Sequence, residues 1–330
     1  MRSRRWRRLR IPNGEVGRGA FMELGKILKT LIQQMENGDA DWQMPWHGVH
    51  NAPINIEHGQ RYSGINRLVL WARASQDNFQ SCHWGTFAQW RKLRQPVQAK
   101  QKGTALIRPI LRRNEKGEDV LHGFHTFYVF NGDQVLNRNE KHPDMFGTDV
   151  ERADPVEQFV QGTGAEIRYG GSRAAYFSAT DHIEMPSPES FVPTQHSTPT
   201  QNFYSTLLHE LLHWTGHAKR ENRVRNFETK RENYAFEELV AELGASFLCA
   251  EFGLEDVPRK DHAQYLNSWI RSIKDKPANL WRAATLAQRA VNYLIKTEQV
   301  EPLSDDSSAG WFNTPPRQVD LVAPLSLHTG

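Results

Sequence analysis

Apolar positions recur at helical spacing in some stretches and cluster in strand-like runs in others, and these two patterns divide the chain. Leu24, Ile27, Leu28, Leu31 and Ile32 line one face of a helix expected over residues 22–35. From Trp42 to Phe130 the pattern turns aromatic and β-rich, with Gly and Pro punctuation. An apolar helix around Leu68, Val69 and Leu70 is expected, and two paired strands at 104–109 and 124–130, joined by a turn at Asn114–Gly117. Residues 131–153 are polar and mark a boundary. Beyond it the pattern predicts a helix at 156–162, short strands at 166–169, 174–177 and 182–185, and a Pro/Ser/Thr-rich loop at 186–200. Helices over about 201–216, 230–253, 259–274 and 278–296 follow. No internal repeat is present. The expectation is an α+β fold: a mixed α/β domain over 22–150, then a mainly helical domain with a small sheet over 151–300. A basic flexible extension (1–21) and a flexible C-terminal tail (301–330) flank them.

Composition sharpens this division. The 330 residues are 38% hydrophobic and 24% charged, as in globular proteins, and no apolar run is long enough to span a bilayer, so no membrane association is expected. The two cysteines, Cys82 and Cys249, provide no disulfide framework, and no apolar segment follows the basic MRSRRWRRLR, so a cytoplasmic setting is expected. The formal charge of +3 hides an asymmetry. Residues 1–150 carry 23 Lys/Arg against 14 Asp/Glu, whereas 151–330 carry 18 against 24. Within 61–113, eleven basic residues accompany one acid, Asp77. Such a block is the footprint of a polyanion partner, the alternative being a solvated basic surface without a ligand.

The chemistry-bearing motif is His209-Glu210-Leu211-Leu212-His213, an H-E-x-x-H sequence that a random chain of this composition would contain about 0.04 times. On a helix the two histidines share one face and can hold one metal ion, while Glu210 is placed to take a proton from activated water. A catalytic zinc site needs a third protein ligand. The long pattern with a third histidine six residues on fails, because Lys219 stands there. His217 lies close, but Gly216 is expected to end the helix before it. The better candidate is Glu238 in the next helix, with Glu242 one turn on as the acid that orients a ligand histidine. The alternative for Glu237, Glu238 and Glu242 is a solvated helix face; the Leu, Val and Ala around them argue for burial, where an unpaired carboxylate is costly. The expected ion is Zn²⁺ or another divalent metal such as Mn²⁺, with a protein substrate of unknown identity. Candidate oxyanion stabilisers are Tyr204, Tyr234 and His217. Residues 162–167, GTGAEI, fail the dinucleotide fingerprint and no P-loop occurs.

The basic half interleaves Trp42, Trp46, Trp71, Trp84 and Trp90 with arginines, a combination suited to single strands, where cations track phosphates and rings stack on bases. Most of these tryptophans are expected in the core, and Tyr62, beside Arg61, is the better stacking candidate. Arg61, Tyr62, Asn66, Arg91, Lys92, Lys100, Lys102 and Arg108 are the candidate DNA contacts. No zinc-finger, helix-turn-helix or RRM signature argues for sequence-specific reading.

WQMPW at Trp42, GQRYSGIN at Gly59, FYVFNGDQV at Phe127, YFSATDHIEMP at Tyr176, FYSTLLHELLHWTGH at Phe203 and YAFEELVAELGASFL at Tyr234 together resemble the ArdC antirestriction family. Its N-terminal domain is shared with plasmid TraC-type primases. The resemblance implies a single-stranded-DNA-binding domain followed by a zincin-like metallopeptidase domain, carriage on mobile, conjugative DNA, and protection of incoming DNA from restriction. One departure is that the family's Lys-Gly-Glu-Lys-Gly run is here Ala99-Lys100-Gln101-Lys102-Gly103. Two alternatives to this reading are a cytoplasmic zinc metallopeptidase whose basic half recruits substrate, and a non-enzymatic DNA binder with a structural metal.

Overall fold

A computed structural model describes residues 52–136 (except 116 and 118), 149–223 (except 194–196), 230–254 and 278–297. The expected helices at 22–35 and 259–274 and both terminal extensions lie outside the described residues. Among the described residues, the N-terminal half is a four-stranded sheet, in the order β1-β2-β4-β3, with two helices. β1 (Ile54–Asn55) runs parallel to β2 (His83–Gly85), while β3 (Thr104–Arg113) and β4 (Asp119–Asn131) form a long antiparallel hairpin. Gly117, at φ 72°, closes the turn by donating its N–H to the Asn114 carbonyl at 2.9 Å. The hairpin extends past the expected strand end at residue 109. Pro109 is tolerated because β3 is the sheet edge, and a register shift follows at Ile110/Leu111.

Helix α1 (Ile65–Asp77) buries Leu68, Leu70 and Trp71, and Asn78 in the left-handed conformation ends it. The short α2 (Phe87–Lys92) starts on a Thr86/Gln89 capping box, and its Trp90 is fully buried with the indole donating to the Phe130 carbonyl at 2.9 Å. Trp71, Trp84 and Trp90 are core residues.

The second half opens with α3 (Asp149–Gly162) and a three-stranded sheet of order β5-β7-β6, from β5 (Glu166–Tyr169), β6 (Ala175–Phe177) and β7 (His182–Met185). β5 is parallel and β6 antiparallel to the central β7. The described residues that follow form three helices: α4 (Pro199–Thr215), α5 (Lys230–Phe252) and α6 (Ala278–Thr297). None of the described helices is long and apolar enough to cross a membrane.

The two halves share one hydrophobic core. Trp71 of α1 meets Phe247 of α5 with ring centroids 5.9 Å apart, and Phe124 of β4 meets Trp281 of α6 edge-on at 5.5 Å. α1 is therefore a helix of the first half that also packs against the second.

Candidate metal centre

α4 is built to present its histidines from inside the protein. Thr198 caps it, accepting from the Gln201 N–H at 3.2 Å while Gln201 Oε1 accepts from the Thr198 N–H at 2.9 Å, and Pro199 occupies the first turn. Leu207, Leu208, Leu211 and Leu212 are fully buried around the motif, so His209 and Glu210 are buried too. The helix stops at Thr215 with Gly216 as its cap.

α5 crosses α4 closely because Gly244 sits against Leu212, the residue before His213. A Cβ on Gly244 would come within 2.4 Å of Leu212 Cδ1. Glycine inside a helix costs about 1 kcal/mol of intrinsic stability, and here the missing side chain is what allows the approach. Gly244→Ala is accordingly expected to destabilise the protein by about 1–3 kcal/mol despite its better helix propensity. Chemical denaturation would check this, and a stabilised variant would show that the contact is not limiting.

That crossing brings three donors together. His209 Nε2 and His213 Nε2 are 3.0 Å apart, Glu238 Oε2 is 3.5 Å from the first, and Glu238 Oε1 is 3.4 Å from the second. These are the only three residues among those described that form such a cluster. Donors sharing one tetrahedral ion with bonds of about 2.0–2.1 Å lie about 3.3 Å from one another, so the spacing fits a divalent cation. Their chemistry fits as well, with two imidazoles and a carboxylate converging on one point.

An acid stands behind each histidine. Glu242 Oε2 lies 3.5 Å from His209 Nδ1. Glu237 Oε1 lies 3.9 Å from His213 Nδ1, and Arg223 Nη2 donates to that same oxygen at 2.6 Å. Arg223 is itself buried and donates to the Leu212 carbonyl and to Thr215 Oγ1, both at 2.5 Å. Burial would raise the Glu237 carboxyl, but Arg223 and His213 outweigh it and hold it below the usual range. Burial would likewise raise Glu238, and the two imidazoles overcome it and hold it far below that range. For His213, burial works downward, whereas Glu237 and Glu238 push its pKa up. A pocket with this much negative charge favours a cation, and a metal ion would compete there with a proton.

Glu210 is held from the side of the small sheet. Its Oε2 accepts from the Tyr176 backbone N–H of β6 at 2.9 Å, which ties the carboxylate to the edge strand of the small sheet. Tyr176 is held in turn, because its hydroxyl donates to Asp181 Oδ1 at 2.9 Å and Arg220 binds both the Asp181 carboxylate and the tyrosine oxygen. Arg220 also lies 3.8 Å from the centroid of the Trp214 ring. Among the oxyanion candidates, Tyr204 is engaged with Glu157 at 3.3 Å, His217 lies 4.0 Å from Asp181, and Tyr234 is exposed one turn before Glu238. Arg223, Glu237, Asp181 and Arg220 were not singled out by sequence. Glu237 carried a signal, as a second acid beside Glu238; Arg223 and Arg220 lie beyond the end of α4 and carried none.

The candidate DNA contacts separate into two groups. Asn66 spans the Ile107 backbone, donating to its carbonyl at 2.7 Å and accepting from its N–H at 3.0 Å. Arg61 pairs with Glu251 of α5, Lys92 pairs with Glu57 at 2.5 Å, and Tyr62 is half-buried with its hydroxyl accepting from Asn55 at 3.1 Å. Arg91, Lys100, Lys102 and Arg108 are exposed. Lys100 adopts φ 65°, the left-handed conformation that favours glycine, and places an exposed cation there.

Known proteins resemble the chain over both halves. A model of the N-terminal domain of anti-restriction factor ArdC matches residues 23–142, and a model of a zincin-like metallopeptidase matches 154–286. An uncharacterised protein of Sinorhizobium fredii is 29% identical over 285 residues, covering 82% of this chain and 90% of that protein. A DNA primase TraC of Escherichia coli is 34% identical over 301 residues, covering 83% of this chain but only 20% of the primase. The chain thus spans about a fifth of that primase. Among solved structures, the antirestriction protein ArdC from plasmid R388 matches in its metal-free form at 33% identity and TM-score 0.68, covering 84% of this chain and 97% of that one. Its Mn(II)-bound form matches at 32% identity with the same TM-score, covering 84% and 98%.

Proposed function

The chain belongs to the ArdC antirestriction family, and from that premise we propose that it is an accessory protein of mobile DNA. In this reading it binds single-stranded DNA through its basic half and carries a metal-dependent hydrolytic centre in the other. The observation that carries the metal centre is the convergence of His209, His213 and Glu238 within 3.0–3.5 Å. A divalent ion, Mn²⁺ as in the R388 structure or Zn²⁺, would be held by these three residues and would supply a Lewis acid and an activated water. Glu210, fixed by the Tyr176 N–H, receives the proton. Glu242 and the Arg223–Glu237 pair orient His209 and His213. The substrate class that best suits such a centre is a peptide bond.

For the basic half, the support is the charge of 61–113 together with the exposure of Arg91, Lys100, Lys102 and Arg108. Because Asn66 is held on the Ile107 backbone, and Arg61 and Lys92, although exposed, already pair with Glu251 and Glu57, phosphate contact is assigned first to the other four. Neutralising Arg91 and Lys102 together (Arg91→Gln, Lys102→Gln) is expected to weaken binding alike for all sequences. It should also flatten the logarithmic salt slope by about 1.4, at about 0.7 per single-strand phosphate contact. Fluorescence anisotropy with labelled oligonucleotides between 50 and 200 mM salt, the range over which such contacts lose most affinity, measures this. An unchanged slope would remove these residues from the interface, and a preference for duplex over single strand would remove the single-strand reading.

A further inference from the structure

Among the described residues, four aromatic side chains stand well out into solvent, and two of them, Phe87 (53% exposed) and Tyr128 (58%), lie in the basic half. They form part of one surface. Phe87 on α2 meets Phe130 on β4 edge-on, with centroids 6.3 Å apart, and Tyr128 is two residues before Phe130, on the same face of the strand. Gly103 lies against both: a Cβ there would come within 3.1 Å of Phe130 Cζ and 3.2 Å of Tyr128 Cβ. A bare backbone thus adjoins the Phe130 ring and the base of the Tyr128 side chain, where a further side chain would crowd them.

Cations border this aromatic surface. Arg91 lies one turn after Phe87 on α2, and Lys100 and Lys102 immediately precede Gly103; all three are exposed. The segment that carries the lysines is held to the end of β4 rather than left loose. Gln98 N–H donates to the Gln134 carbonyl at 2.9 Å, Gln134 Nε2 donates to the Lys102 carbonyl at 3.1 Å, and Leu136 N–H donates to the Pro96 carbonyl at 2.9 Å. Lys100 at φ 65° and Arg94 at φ 61° both hold left-handed backbones, which L-residues rarely adopt. Uncovered rings bordered by fixed cations match the chemistry of a single strand, whose bases offer flat faces and whose phosphates offer charge.

We propose that Phe87 and Tyr128, joined through Phe130 and left open by Gly103, are the base-stacking platform of this half, with Arg91, Lys100 and Lys102 on the flanking phosphates. This rests on the reading of the basic half as a single-strand binder. The test uses the full chain and two labelled strands with equal numbers of phosphates, oligo(dT) and a wholly abasic strand. Wild type should prefer the strand with bases. Phe87→Ala and Tyr128→Ala should each weaken oligo(dT) binding about 5- to 150-fold, as expected for one stacked base, and leave abasic binding and the salt slope unchanged. Tyr128→Phe should retain wild-type affinity, because the ring and not the hydroxyl stacks. If the Phe87→Ala/Tyr128→Ala double variant still prefers bases, or loses both strands equally, the platform is wrong while single-strand binding stands. If wild type binds neither strand, the single-strand reading fails and the platform with it.

Discussion

His213→Ala is expected to abolish stoichiometric binding of a divalent metal, whereas Glu210→Gln should retain the metal and lose any hydrolytic activity. In the proposed centre three protein donors would hold the ion, and removal of one would leave two against water and a proton, in a pocket whose remaining acids would bind any cation only loosely. Glu210 has a different partner, the Tyr176 N–H, and its amide isostere keeps that hydrogen bond while it removes the proton acceptor. Loss of a general base lowers turnover by roughly 10²- to 10⁴-fold. Glu237→Gln lies between these cases: it should weaken the metal by about 10- to 100-fold through loss of the charge behind His213. Metal content after dialysis against Mn²⁺ or Zn²⁺, measured by elemental analysis, decides the ligand set. Equal content in wild type and His213→Ala would sink the assignment, and retention by Glu238→Ala with loss by His217→Ala would move the third ligand. Peptide cleavage by wild type and its absence in Glu210→Gln separates an enzyme from a protein whose metal only braces the fold.

How far the sequence foretold this centre depended on where each residue sits. The spacing of His209 and His213 is set by one helix, so local periodicity was enough to pair them. Glu238 and Glu242 were legible as acids one turn apart in an apolar context. Which of the adjacent acids would face which histidine was not, because that depends on the rotation of α5 against α4 at the Gly244–Leu212 contact. The same limit applied in the basic half. Asn66 and Arg61 sit in a polar, glycine-rich run that reads as surface, yet the packing of α1 against β3 and α5 turns Asn66 onto the Ile107 backbone and Arg61 onto Glu251. Phe87 and Tyr128 drew no assignment from the local pattern, and the structure leaves both exposed. For the acids of α5, Asn66 and Arg61, a long-range contact absent from local pattern decided the outcome.

Arg67 shows the consequence of that shared packing most directly, and Arg67→Ala is expected to destabilise the protein by about 3–5 kcal/mol, the usual cost of breaking a buried ion pair by removing one partner. Its guanidinium is 2% exposed. It donates to the Tyr62 carbonyl at 2.9 Å, to the Phe247 carbonyl at 3.3 Å and to Glu251 Oε1 at 2.8 Å, and it lies 5.0 Å from the centroid of the Phe247 ring. Burial alone would lower its pKa, and Glu251 opposes that. Alanine would leave two carbonyls without this donor and Glu251 with only Arg61 beside it, and would open a cavity between α1 and α5. Arg67→Met with Glu251→Leu should cost much less than the sum of the single changes, because replacing both charges removes the desolvation penalty along with the attraction. Equilibrium denaturation of the four proteins gives the coupling energy directly. The two halves should unfold in one transition in wild type, since Trp71–Phe247 and Phe124–Trp281 join them in one core. A loss below about 1 kcal/mol for Arg67→Ala, the level of an exposed pair, would mean that Arg67 does not lock the halves together. The aromatic contacts would then join the halves without it, and the packing of α1 predicts that residues 22–150 alone would expose Trp71 and lose cooperative folding.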